Sequence, residues 1–324
     1  MPQEMTSEEA RQFLALSCEA HWAFPSSQGT PIINGQASSQ WVDQAVKERE
    51  SYVNAVRFLL KNGYEEAAIE IASNIWRLWI VVRDLSGGRA FLAAVLDARD
   101  KKPSRARSLS LYGDALSAFK QGKIEESRRM SQATLDAALV VNDREALTLA
   151  YLAMSRAAFE DGDYTQSLTL AIKSREFARS LEPAMGQAPL FLHAPATWMK
   201  GEYDQAAALF AQSLDLNRKI GDLGMVRAEL QNLGLVEIYR GNVEAAERYF
   251  AESESLGSAS DAYGIAMMHL YRSAIEFVRG NRDGSLILLQ RAQSTLREAG
   301  IEAAPDDQFE IDWLRGKLEK SVRD

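Results

Sequence analysis

A single cysteine, Cys18, stands in 324 residues, so no intrachain disulfide framework exists, and the usage fits a reducing compartment. No run of eighteen apolar residues is present that could span a bilayer, so a membrane is not expected as a partner. Positive charge is in deficit: 37 Lys and Arg face 45 Asp and Glu, for a net charge of −8. Nucleic-acid phosphate is read by clustered Lys and Arg, so direct nucleic-acid binding is not expected either. The start, "MPQEMTSEEARQF", is acidic and lacks the basic-then-apolar order of a secretory leader, which points to the cytoplasm.

Catalytic chemistry is equally thin. The three histidines, His21, His193 and His269, lie far apart and outside any HxxxH, HExxH or CxxC spacing, so neither a metal nor a cofactor is expected. Cys18 and His21 are three residues apart in "LALSCEAHW", but no Gly-rich oxyanion turn or third orienting residue accompanies them. A buried, inert thiol is the expectation for Cys18. Carboxylate pairs at 65–66 and 125–126 fall in first turns of helices, where they complement the helix dipole. Trp76 and Trp79 share one helical face and read as core packing, and one of Met267 and Met268 is expected to be buried. The chain reads as a non-enzyme.

What is present is a period. Glycine recurs between an apolar helix-like run and an Ala- or Ser-bearing one in "FKQGKIEES", "FEDGDYTQS", "WMKGEYDQA", "IYRGNVEAA" and "FVRGNRDGS". Gly122, Gly162, Gly201, Gly241 and Gly280 are spaced 40, 39, 40 and 39 residues apart. A fixed period in this range means stacked supersecondary units. Each unit reads as two helices. Glycine supplies the left-handed residue that stops the first, and the Asp, Asn or Glu that follows favours the start of the second. Arg83 takes the glycine slot one period upstream, and Gly63, only 20 residues before it, implies a shortened or fused unit. Residues 40–62 form a further amphipathic helix, residues 25–40 a Ser/Gly/Pro loop, and residues 306–321 a terminal helix covering the last apolar face. The expected organisation is N-terminal helices over 1–62, helical repeats over 63–303, and a capping helix over 304–324.

The units at Gly201 and Gly241 resemble tetratricopeptide repeats. "LQNLGLVEIYRGNVEAAERYF" carries Leu233-Gly234, the turn glycine Gly241, and Ala246 four residues before Phe250, while Ala206 and Phe210 repeat the last pair. Ser127 and Ser167 take the alanine slot in two other units, and a period of about forty exceeds the family's usual thirty-four. The resemblance implies an all-α, right-handed superhelical solenoid of antiparallel helix pairs. More narrowly, "ARQFLALSCEAHW", "ESYVNAVRFLLKNGYEEAAIEIASNIWRLWIVVRDLSGGRAFLAAVLDA" and "KIGD…LQNLGL" resemble the C-terminal sensor region of bacterial LuxR- and AfsR-like ATPase transcription regulators. There the repeats receive an inducer or a protein partner. This chain has no G-x-x-x-x-G-K-[ST] phosphate loop and no obvious helix-turn-helix region outside the repeats.

That resemblance implies that the first helix of each unit lines a concave groove. Those helices are expected at about 105–121, 143–161, 188–200, 223–240 and 261–279. On their inner side the expected contact residues are Tyr112, Arg156, Phe159, Phe191, His193, Trp198, Gln231, Asn232, Tyr239 and Tyr271. Aromatics, amides and an arginine suit a protein or peptide partner, or alternatively a small-molecule inducer. Pro195 falls inside the first helix of its unit, six residues before Gly201, while the period runs on undisturbed. A kink is expected there rather than a helix end, with the Phe191 carbonyl left without its helical donor. Pro189 is expected in the first turn of the same helix.

Overall fold

The computed structural model describes residues 5–23, 44–82, 84–98, 101–181, 183–221, 223–256, 262–301, 303 and 305–320. The expected loop at 25–40, Arg83, and the side chain of His21 lie outside the described residues. Every regular element described is a helix: α1 (Ser7–Ala23), α2 (Arg49–Lys61), α3 (Glu65–Ile75), α4 (Arg77–Val81), α5 (Leu85–Leu96), α6 (Arg105–Lys120), α7 (Ile124–Val141) and α8 (Arg144–Glu160). These are followed by α9 (Tyr164–Ala178), α10 (Pro183–Met199), α11 (Tyr203–Ile220), α12 (Leu223–Tyr239), α13 (Val243–Ser255), α14 (Ala262–Val278), α15 (Arg282–Ala299) and α16 (Pro305–Lys320). None of the described helices is long and apolar enough to cross a membrane.

The chain divides into two compact units, one of Met1–Ala196 with Ile220–Asp222, the other of Thr197–Lys219 with Leu223–Asp324. In the first, α2 packs on α3, α6 on α7 and α8 on α9; in the second, α12 packs on α13 and α14 on α15. Successive first helices also touch, α6 against α8 and α12 against α14.

Each pair turns the same way. Gly63, Gly122, Gly162, Gly201, Gly241 and Gly280 all have φ between +72° and +82°, a left-handed conformation that glycine reaches without a Cβ clash. The next residue's N–H reaches the carbonyl five back, as in Asn242 N to Glu237 O at 2.8 Å and Asp163 N to Ala158 O at 2.9 Å, closing a Schellman motif. Asp163, Asn242 and Asn281 then cap the second helix by accepting from the backbone three residues on.

Five residues past each turn glycine stands a small buried residue: Ala68, Ser127, Ser167, Ala206, Ala246 and Ser285. The serines in this slot fit because their pairs supply hydrogen bonds. Ser127 Oγ donates to Ala115 O at 2.9 Å, while Ser155 and Ser273 donate to the carbonyls of Ser167 and Ser285. Gly234 lets α12 approach α13 so closely that a Cβ there would lie 2.3 Å from a Phe250 ring carbon.

Three expectations change. The helix of Pro195 starts at Pro183, which takes the N-terminal position that Pro189 was expected to hold. Pro189 and Pro195 both lie within α10, and the helix runs through both. Cys18 is exposed rather than buried, with its Sγ 3.7 Å from Asn74 Nδ2. Met267 and Met268 are both buried. At the shortened unit, α3 breaks at Trp76 and resumes as α4; Trp76 packs edge-on to Tyr112 and Trp79 stacks on Phe91.

Candidate functional site

The first helices carry two separate side-chain constellations, one in each unit. In the first unit, α6 and α8 bring Tyr112, Phe119, Lys120 and Arg156 together. The Arg156 guanidinium lies 5.9 Å from the Tyr112 ring centre and 5.5 Å from that of Phe119. Its Nη2 is buried without a hydrogen-bond partner, and no acidic side chain among the described residues pairs with it. Lys120 is exposed, yet burial of its ammonium, and after that Arg156, push its pKa down. Tyr112 itself is fully buried and offers its ring to Trp76 and Arg156 rather than to a surface.

The remaining expected residues of this unit do not join that cluster. Phe159 is buried with its ring edge-on to Tyr164, and Phe191 is half-buried. His193 is buried, and desolvation, then Arg175, lower its imidazole to about 4, so it is neutral at physiological pH. Deeper still, Arg77 lies 4.4 Å over the Trp76 ring, with its guanidinium lowered to about 10 by burial.

In the second unit, Trp198, Gln231, Tyr239 and Tyr271 are brought together, and what unites them is α16. The Trp198 ring meets Tyr239 at 5.8 Å and Phe309 of α16 at 6.0 Å, both edge-on. Tyr239 stacks on Tyr203 at 5.3 Å and tilts against Trp313 of α16, which also takes the edge of Phe277. The Tyr239 hydroxyl donates to Glu310 Oε2 at 2.6 Å. Tyr263 and Tyr271 donate to the two carboxylate oxygens of Asp307, at 2.5 and 3.3 Å, and Tyr271 also reaches Gln231 Oε1 at 3.4 Å. Thus α16 lies across the first helices of three consecutive pairs. Asn232 points elsewhere, donating to Glu229 Oε2 at 3.4 Å.

Glu310 is the unusual group. It is 0% exposed, its Oε1 has no hydrogen-bond partner, and burial raises its pKa to about 7 against the single bond from Tyr239. Burial and the facing Glu310 in turn raise the Tyr239 hydroxyl. Sequence reasoning missed Glu310, Phe309, Trp313, Tyr203, Phe277, Phe119 and Lys120. One signal was available: α16 carries aromatics at 309 and 313 besides the apolar stripe Ile311, Leu314 and Leu318, more than a one-faced cover needs.

No group of three or more His, Cys, Asp or Glu among the described residues could hold a metal ion. Concavities include a cleft of ≈ 240 Å³ between α1 and α2, lined by Leu14, Phe58 and Tyr64, and an open one of ≈ 650 Å³ between α15 and α16.

No family model matches the sequence, and no curated protein matches it. Solved structures do. A tetratricopeptide repeat protein from Parabacteroides merdae aligns over 95% of this chain and 100% of its own, with a TM-score of 0.51 and 12% identity. The APC/C hetero-tetramer Cut9–Hcn1 aligns over 92% of this chain and 55% of its own, with a TM-score of 0.57 and 12% identity. BtubC from P. vanneervenii aligns over 66% of this chain and 90% of its own, with a TM-score of 0.54 and 13% identity. At such identities the likeness speaks for the fold alone: the chain has the tetratricopeptide-repeat fold, an all-α stack of antiparallel helix pairs with a period of about forty residues.

Proposed function

We propose that the chain is a non-enzymatic scaffold that binds a protein or peptide partner through the inner face of its first helices. The observation that carries this reading is α16 itself. The inner face of the second unit holds an aromatic-bearing helix, gripping it with Trp198, Tyr239 and Phe277 and with the Tyr263 and Tyr271 hydroxyls. A face that accommodates one such helix has the chemistry to accommodate a partner's helix. The fold is one on which protein assembly occurs, as in the Cut9–Hcn1 hetero-tetramer. The sequence resemblance to sensor arms of LuxR- and AfsR-like regulators speaks for bacterial signalling or transcription control as the setting, in the cytoplasm and without direct DNA contact. A small-molecule inducer is the second reading, favoured by Arg156, whose guanidinium rests on two rings without an acidic partner.

Photo-crosslinking tests the first reading. A photoreactive residue at Phe191 or Gln231 is expected to capture a defined protein in bacterial cells, while one at Ile287, exposed on the second helix α15, does not. Identical capture from both faces, or capture from neither, overturns it. The purified chain is also expected to show no ATP hydrolysis.

A further inference from the structure

We propose that α16 is a displaceable occupant of the second unit's inner face. Its competitor is a partner helix with two large apolar side chains four residues apart and an uncharged residue beside the first. The inference rests on the groove-binding reading above and names what that groove takes.

The template is α16. Phe309 and Trp313, four apart and so on one helical face, enter the space bounded by Trp198, Tyr239 and Phe277. The residue between them in that seam is Glu310, and it makes α16 a poor ligand for its own site. Its carboxyl is completely covered, one oxygen accepts from Tyr239, and the other accepts nothing. The groups facing it are the Tyr239 hydroxyl from α12, with Tyr203 of α11 stacked behind that ring, and no cation among the described residues pairs with it. An ionised carboxylate held that way is opposed by desolvation that one hydrogen bond does not offset. Phe309 adds to the weakness, since 40% of it stays exposed while docked.

The pH sign follows from a carboxyl that is fully covered and meets one hydroxyl and no cation. Glu310 binds its proton more tightly when α16 is docked, about 7 against 4.5 when free. Docking is therefore strongest below pH 4.5, weakens as pH rises, and reaches its weakest hold once pH passes about 7. At neutral pH a helix with an amide in the Glu310 place escapes this penalty. Its advantage is on the order of a hundredfold, the equilibrium equivalent of the pKa difference.

The experiment uses the full chain and fluorescein-labelled peptides of residues 305–320, one unsubstituted and one carrying Glu310→Gln. At pH 8 the substituted peptide is expected to bind the wild-type chain on the order of a hundredfold more tightly than the unsubstituted one. It is also expected to expose the chain's own 305–320 amides to hydrogen exchange. Against a full chain carrying Glu310→Gln, whose own helix is equally uncharged and so held more tightly, both peptides are expected to bind on the order of a hundredfold more weakly, with their ratio unchanged. In the wild-type chain alone, exchange of α16 relative to α12 is expected to quicken between pH 5.5 and pH 7.5 and then level off, a readout that needs no variant. Equal binding of the two peptides, binding with α16 still protected, or failure of both to bind overturns the proposal. In each case the crosslinking result at Phe191 and Gln231 stands or falls separately.

Discussion

Replacing Gly234 by alanine tests whether the spacing between α12 and α13 is set by that one missing methyl group. Two effects oppose each other. Alanine in a helix interior is favoured over glycine by about 1 kcal/mol. Against this, the new Cβ would sit 2.3 Å from Phe250 Cε1 and within 2.6 Å of two more ring carbons, far inside ordinary contact. The ring has no room to retreat, because Phe250 is 3% exposed and stacked on Tyr271 with centroids 4.8 Å apart and planes 5° from parallel. Overpacking of a filled core costs about 1–3 kcal/mol, and the rigid backing places this site near the upper end. The net expectation is a loss of about 1–2 kcal/mol in the second unit. Hydrogen exchange resolves it by reporting the opening free energies of α12 and α13 directly. The companion Phe250→Leu costs about 1–2 kcal/mol alone, through lost volume. In the double variant the smaller leucine makes space for the new methyl, so the two losses should not add. A coupling of about 1 kcal/mol or more in the compensating direction is expected. Strict additivity, or a stabilised Gly234→Ala chain, refutes the close-approach account.

Three further outcomes follow from other sites. At Gly241, where φ is +76° and nothing lies within 4 Å of the place a methyl group would take, Gly241→Ala is expected to cost about 1 kcal/mol from backbone conformation alone. Gly241→Asn should cost less, as Asn142 at φ 53° illustrates, and urea titration of the two variants separates these cases. Arg156→Met removes a buried guanidinium that no acid pairs with, so the first unit is expected to be as stable or more so, measured by thermal unfolding; a loss of more than about 2 kcal/mol would show a hidden partner. His193 is neutral when folded, about 4 against 6.5, so its contribution is present above pH 6.5 and is lost as pH falls toward 4. Wild-type stability is expected to drop by roughly 2 kcal/mol more than that of His193→Leu between pH 7 and pH 5 in urea titrations.

The repeat was legible because each unit repeats local chemistry. A left-handed glycine and a small residue five positions on, joined by a capping Asp or Asn at 163, 242 and 281, are short-range requirements, so they recur in the sequence at the interval at which the helices recur in space. Four of the five first helices were placed within a residue or two for that reason. The exception, α10, begins five residues earlier than expected. Its start is marked by Pro183 at the first helical position, while Pro189 and Pro195 inside it resemble the same signal. An interior proline removes one N–H and crowds the carbonyl four residues back, yet α10 continues past both. The turn serines were similarly underrated. Ser127 and Ser167 looked like departures from an alanine slot, but the buried Ser127 hydroxyl donates to a carbonyl of the paired helix and the Ser167 hydroxyl meets that of Ser155, so each hydroxyl is satisfied where a methyl would sit.

The inner face was only half legible, and the reason lies in sequence distance. Helical periodicity tells which side of α12 holds Tyr239, but not that its hydroxyl meets a carboxyl 71 residues away. Read as a groove residue, Tyr239 needs a partner from outside; in the structure that partner is Glu310 of the same chain. The same holds for Trp198 with Phe309 and for Tyr271 with Asp307. Trp198, Tyr239 and Tyr271, expected as contact residues for a partner or an inducer, are covered in the structure by a helix of the same chain. A core residue and a contact residue differ here only in whether the helix above them can leave. For α16 that depends on one side chain. If Glu310 were leucine, the seam of Phe309 and Trp313 would read as ordinary core and the face as permanently closed. An acidic group at its centre, covered and half-satisfied, weakens the closure at neutral pH, where a structural cap would gain nothing from it.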